Sequence, residues 1–221
     1  MIEKMSLGGT PFIGIVAFTT EDFTITRTDV NQDKIGSISS VLGTSVLQSS
    51  IARTDLVGIF LAGNSNGILV PSLIEEHEMV AIEESLSCNV MSLETKYTAL
   101  GNLILCNDKG CVISPTISSM KDDISSFLGV PVEEGIIGGF KNVGSVAVAT
   151  NKGCLVHPNT SQEKMDWLSE ILKVPVDHST ANKGVGYIGG CMIANSKGVV
   201  VGDYSTGPEL GRIDDVLMEE E

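Results

Sequence analysis

Blocks of apolar and polar residues recur along the chain in a fixed order. From Gly101 an apolar run leads to Asn107-Asp108-Lys109-Gly110, a second apolar run follows, and Pro115 ends it. Such a pattern predicts two strands joined by an Asn/Gly turn. The phrase returns over 58–71 with Asn64-Ser65-Asn66-Gly67 at the turn, over 144–158 with Asn151-Lys152-Gly153, and over 189–202 with Asn195-Ser196-Lys197-Gly198. The turn glycines fall at 67, 110, 153 and 198, in steps of 43, 43 and 45, and each strand glycine lies nine residues earlier. A step of about 44 back reaches Gly14 and Phe23, in a diverged first copy with Thr19-Thr20-Glu21-Asp22 at its turn. A sustained period of this length marks one supersecondary unit used repeatedly.

Helical spacing follows each hairpin. Ile35, Ile38, Val41 and Leu42 share one face of a first helix over 28–42, stopped by Gly43. Ser72-x-x-Glu75, Thr160-x-x-Glu163 and Thr206-x-x-Glu209 read as capping boxes that open the second, fourth and fifth helices, and the third starts at Thr116. Short β-type runs centred on Val46, Val90, Val132 and Val176 come after the first four helices. The fifth copy lacks one, and a period back from Val46 lies Ile2, so residues 1–5 are expected to supply that strand and close a ring. The predicted fold is α/β, one domain over 1–221. It is a closed five-fold pseudosymmetric ring of ββαβ units, a β/α-propeller with small sheets toward the axis and helices outside. The copies run about 6–47, 48–93, 94–134, 135–178 and 179–221, the last completed by strand 1–5. Gly14, Gly58, Gly101, Gly144 and Gly189 are expected in the first strand of each copy, where a missing side chain permits close backbone approach or a bend.

Charge narrows the partners. With 14 Lys plus Arg against 28 Asp plus Glu the net charge is −14, which excludes non-specific coating of a phosphate backbone and favours basic or neutral surfaces. A hydrophobic content of 42% excludes disorder. No stretch reads as a membrane span or a targeting leader. Cys88, Cys106, Cys111, Cys154 and Cys191 cannot all pair, and they read as thiols of a reducing, cytoplasmic setting.

Candidate chemistry is sparse. Gly184-Val185-Gly186-Tyr187-Ile188-Gly189 spells a dinucleotide fingerprint, but it leads into an expected strand over 191–194 rather than a helix. Cys106-x4-Cys111 has no second ligand pair at zinc spacing. An enzymatic alternative needs Cys191 as nucleophile, His157 or His178 as base and Asp177 as orienter. Other copies fill the position of Cys191 with Phe60, Leu103 and Val146, a packing pattern. No catalytic residue, cofactor or metal is predicted.

Longer motifs carry a resemblance. Ser50-Ile51-Ala52, the run Gly63 to Pro71, Thr98-Ala99-Leu100-Gly101-Asn102 with Cys106-Asn107-Asp108, and Gly153-Cys154-Leu155-Val156-His157-Pro158 resemble the translation initiation factor 6 family, the ribosome anti-association factors. The chain stops soon after its fifth helix, as the archaeal members do. The resemblance implies the pentein fold and no reaction. It implies a monomer docked on the intersubunit face of the large ribosomal subunit, against basic ribosomal proteins near the sarcin–ricin loop, that excludes the small subunit sterically. It places Asn102 on the docking face, and the repeat puts Ile15, Ile59, Ser145 and Gly190 at equivalent positions. Ile59 stands where eukaryotic members carry Arg. The alternative within the same fold is a cysteine-dependent guanidine hydrolase or amidinotransferase.

Overall fold

A computed structural model describes residues 1–218; the last three positions of the fifth expected copy lie outside them. The chain opens with β1 (Ile2–Met5). The first unit comprises α1 (Ile13–Val16), β2 (Ala17–Thr19), β3 (Phe23–Thr26), α2 (Gln32–Leu42) and β4 (Ser45–Gln48). The second is α3 (Val57–Phe60), β5 (Ala62–Asn64), β6 (Gly67–Pro71), α4 (Glu76–Leu86) and β7 (Val90–Leu93). The third is α5 (Leu100–Leu103), β8 (Ile104–Cys106), β9 (Cys111–Ile113), a 3-10 segment (Pro115–Met120), α6 (Lys121–Leu128) and β10 (Val132–Glu134). The fourth has β11 (Ala147–Ala149), β12 (Cys154–Val156), α7 (Gln162–Leu172) and β13 (Val176–His178). The fifth has α8 (Ile188–Cys191), β14 (Met192–Ala194), β15 (Val199–Gly202) and α9 (Gly207–Leu217).

Each unit folds as one three-stranded sheet, its hairpin antiparallel and its third strand parallel to the second. In the fifth sheet the third strand is β1, paired in parallel with β15 from Ile2 opposite Val199 to Met5 opposite Gly202. The first and last strands of the described chain are thus hydrogen-bonded neighbours, as the repeat arithmetic expects. The core is divided into clusters that straddle consecutive units. One joins Leu69 and Leu93 of the second to Ile113 and Leu128 of the third, and another joins Ile193 and Val200 of the fifth to Ile38 and Leu42 of the first. Burying each such side chain contributes about 2 kcal/mol, so every junction is an apolar seam.

Several boundaries differ from expectation. The recurrent glycines precede the first strands. Gly14, Gly58, Gly101 and Gly189 lie in the one-turn helices α1, α3, α5 and α8, and Gly144 in the matching turn. Their apolar neighbours looked like strand because a buried turn and a buried strand share the same composition. Cys191 accordingly ends α8 rather than sitting in a strand, and the dinucleotide-like motif leads into that single turn.

Four helix starts also shift. Asn31 caps α2 by accepting from Lys34 N–H, while Thr28 bonds to Asp55. Glu75 and Glu78, not Ser72, form the capping box of α4. Ser161 rather than Thr160 caps α7, because the Thr160 hydroxyl is already donated to His157 O at 2.7 Å. The Thr206–Glu209 box of α9 is present as expected. In the third unit the stretch after Ser114 winds as 3-10 helix, broken at Ile117, and the α-helix starts only at Lys121.

Candidate binding face

Two series of glycines join the units at opposite ends of their first strands. At one end, a Cβ on Gly14 would lie 2.0 Å from Gly189 O, on Gly58 2.1 Å from Gly14 O, and on Gly101 1.9 Å from Gly58 O. One on Gly144 would lie 2.1 Å from Gly101 O, and one on Gly189 2.0 Å from Gly144 O. Each glycine is therefore required by the carbonyl of the unit before it, and the contacts run through all five units back to the start. Residues of all five also line one central cavity of about 120 Å³. Pockets for small ligands run about 300–1,000 Å³, so the cavity is too small for an ordinary substrate.

At the other end stand the hairpin turns. Gly67, Gly110, Gly153 and Gly198 are absent from the positive-φ residues, so left-handed geometry is not their purpose. A Cβ on Gly110, Gly153 or Gly198 would strike Ile171 O, Val216 O or Val41 O, the carboxyl end of the next unit's helix. The turn asparagines exploit that proximity. Asn107 Oδ1 accepts from Lys109 and Gly110 N–H, both at 3.0 Å, which closes its own turn. Its Nδ2 donates to Thr150 O and Leu172 O, both at 2.9 Å, which ties it to the fourth unit. Asn195 does the same toward Thr20 O and Leu42 O, and Asn64 toward Asn107 O and Leu128 O. Outside them, Asp108 accepts from Ser65 and Asn151, and Glu21 from Ser196. Thr20 and Thr150 lack a side-chain amide and accept instead from N–H groups of their own turns.

The five expected site residues lie together at the glycine end. Ile15, Ile59, Asn102, Ser145 and Gly190 each donate N–H to the carbonyl three residues back, at 3.0–3.1 Å, in five copies of one tight turn. All five are partly exposed. The structure joins some of them directly: Ser145 Oγ donates to Asn102 Oδ1 at 2.9 Å, and a Cβ on Gly190 would lie 3.7 Å from Ile15 Cγ1. The residues three back form an outer row that the repeat arithmetic contained but that was not singled out. It comprises Phe12, Leu56, Ala99, Asn142 and Tyr187, of which Leu56 is 40% and Tyr187 48% exposed. Tyr187 also stacks edge-on against Phe140, 5.4 Å between centroids, and Phe140 against His157 at 4.9 Å.

Loops beside these turns are fixed by buried carboxylates. Glu209 accepts from Thr180 Oγ1 and the N–H groups of Lys183, Gly184 and Thr206. Desolvation raises its pKa, but these bonds outweigh it and hold the group down to about 2. Glu78 accepts from Ser50 Oγ and from the N–H groups of Ala52 and Arg53, and its pKa too is lowered against desolvation.

The enzymatic constellation does not assemble. Cys191 is fully buried, its Sγ donates to Tyr187 O, and burial raises its pKa to about 11, so the thiol stays protonated at neutral pH. His178 pairs with Asp177 at 2.7 Å on β13, and Asp177 also pairs with Arg212. Cys106 and Cys111 face each other across the β8–β9 hairpin, and all five cysteines are free. Among the described residues no group of His, Cys, Asp and Glu could hold a metal ion, and no helix is long and apolar enough to cross a membrane.

The eIF-6 family model matches residues 2–216 of this chain. Translation initiation factor 6 of Pyrococcus abyssi is 42% identical over 222 residues, covering 98% of each chain. Translation initiation factor 6 of Methanocaldococcus jannaschii is 44% identical over 223 residues, again covering 98% of each. Among solved structures, a variant of dimethylarginine dimethylaminohydrolase, as an adduct with S-methyl-L-thiocitrulline, matches at 15% identity with a TM-score of 0.49, over 76% of this chain and 68% of that one.

Proposed function

The chain belongs to the eIF-6 family, and from that premise we propose that it binds the large ribosomal subunit on its intersubunit face and sterically blocks the small subunit. The observation that carries this reading is that the family match runs through all five units, from residue 2 to residue 216. The contact surface in this reading is the glycine end, with Ile15, Ile59, Asn102, Ser145 and Gly190 inside and Leu56 and Tyr187 outside. Partly exposed apolar and amide groups on short turns give such a surface its packing and hydrogen bonds, and glycine joints hold it preorganised, so little ordering entropy opposes docking. A net charge of −14 steers the protein toward basic ribosomal proteins, those beside the sarcin–ricin loop, and away from bare RNA.

In this reading the protein acts as a cytoplasmic monomer, by occupying space rather than by chemistry. Sucrose-gradient sedimentation with purified subunits tests it. Co-migration with large subunits and loss of the joined particle is the expected result. A chain that stays at the top of the gradient while subunits join overturns it.

A further inference from the structure

The third unit differs from the others at its helix start and at the loop before α5, and an open groove lies beside it. The third residue of the 11-residue helices is a polar anchor in three units, where Lys34 donates to Ser6 O, Glu78 binds the loop at 50–53 and Glu209 binds the loop at 180–184; in the fourth unit Lys164 lies over the Trp167 ring instead. Counting back from the C-cap Gly129, the same position in the third unit is Met120, in the 3-10 segment, and a thioether cannot replace those bonds. The loop before α5 also lacks the small bridge that closes its counterparts at Leu7–Thr10, Ile51–Thr54, Ile137–Phe140 and Ala181–Val185.

The consequence falls on β7, an edge strand. Elsewhere the following helix reaches over the edge. Trp167 of α7 packs on Gly135 just past β10, Arg212 of α9 donates to His178 O on β13, Lys34 of α2 closes on Ser6 past β1, and α4 lies against β4. Beside β7 there is instead a groove of about 890 Å³. Asn89 O accepts from Ile68 N–H at 2.9 Å and Ile68 sits opposite Val90. In a parallel ladder alternate residues bond one neighbour, so Val90 and Ser92 turn their N–H and C=O away from β6 into the groove. No described residue bonds to them there. Met91, Met120 and Phe127 form an apolar floor packed on the core. The ionisable side chains of the rim are all acidic: Glu83, Glu94 and Asp123, the last two exposed.

We propose that this groove takes an extended, Lys/Arg-rich segment of another protein, added as a fourth strand on β7. The unpaired backbone groups of Val90 and Ser92 supply the ladder, alternate apolar side chains meet the methionines and Phe127, and the basic side chains meet the three carboxylates. An acidic or neutral strand would gain the same ladder without the charge match. The site is separate from the glycine end and does not depend on the subunit reading.

The test is fluorescence anisotropy of the full chain with a labelled, end-capped peptide of alternating Lys and Val, beside its Glu/Val counterpart. Saturable, salt-sensitive binding of the Lys/Val peptide alone is expected. Ser92→Pro removes an outward N–H on an edge strand, a position where proline is tolerated, together with the Ser92 Oγ bond to Glu94. It should weaken binding about tenfold, and Glu94→Lys with Asp123→Lys by at least as much. In the unsubstituted chain, saturating peptide should slow amide exchange at Val90 and Ser92, a readout independent of the variants' folding. Binding indifferent to these variants, equal binding of the Glu/Val peptide, or protection confined to other strands overturns the proposal. So does a dimer of this chain that Ser92→Pro dissolves, since the occupant would then be a second copy.

Discussion

The hairpin end and the glycine end both join neighbouring units, yet they are built from opposite chemistry. At the hairpin end side chains make the joints. Asn64, Asn107 and Asn195 each carry bonds to the next unit, and Asp108 and Glu21 add bonds between adjacent turns. At the glycine end the joint is backbone against backbone, and the side chains that follow on each turn are left over. They vary from Ile15 and Ile59 through Asn102 and Ser145 to Gly190. The hairpin side chains are committed to holding the units together, whereas those of the glycine end, apart from the Ser145–Asn102 hydrogen bond, are available to a partner.

The largest effect that would break this comparison is at a glycine joint. Gly101→Ala puts a methyl against Gly58 O and should cost about 3 kcal/mol in urea unfolding, as overpacking does. A loss below about 1 kcal/mol would mean that the joint yields and the end is not rigid. Next comes the hairpin end. Asn107→Ala leaves Thr150 O and Leu172 O without its amide and opens its own turn, an expected loss of about 2 kcal/mol.

Glu209 gives a smaller, pH-dependent signature. Its folded pKa of about 2 lies below the unfolded value near 4.5, so its contribution is complete above pH 4.5 and disappears as pH falls toward 2. Thermal melts should show that loss, and Glu209→Gln should flatten the slope in this window. An unchanged slope would contradict the assignment of its bonds. Smallest for stability is Leu56→Ser, exposed, which should move unfolding by less than about 0.5 kcal/mol while weakening retention on large subunits. Full retention would remove the outer row from the contact.

Much of this was legible in the sequence because a repeated chain states each requirement five times. The arithmetic from Val46 back to Ile2 located the closing strand that pairs with β15. What the pattern could not convey was which neighbour each residue meets. Gly101 and Gly110 looked like a strand glycine and a turn glycine, but both are dictated by a carbonyl of another unit, Gly58 O and Ile171 O, far away in sequence. Asn107 read as a turn former, and the half of its amide that bonds Leu172 O was invisible for the same reason. The capping error at α4 is local: Glu75, Glu76 and Glu78 crowd the start, and only the fold decides that Glu78 turns back to the loop at 50–53. Met120, apolar like Ile117 and Ile124 beside it, carries no signal of its own in the sequence. Its significance lies in the bonds that Lys34, Glu78 and Glu209 make and it cannot.

The contrast between the two ends is tested most directly by amide hydrogen exchange of the chain alone and bound to large ribosomal subunits. The account predicts new protection in the turns at 12–15, 56–59, 99–102, 142–145 and 187–190, with exchange at 20–22, 64–66, 107–109, 150–152 and 195–197 unchanged. Protection of the hairpin turns, with the glycine end as free as before, would contradict it.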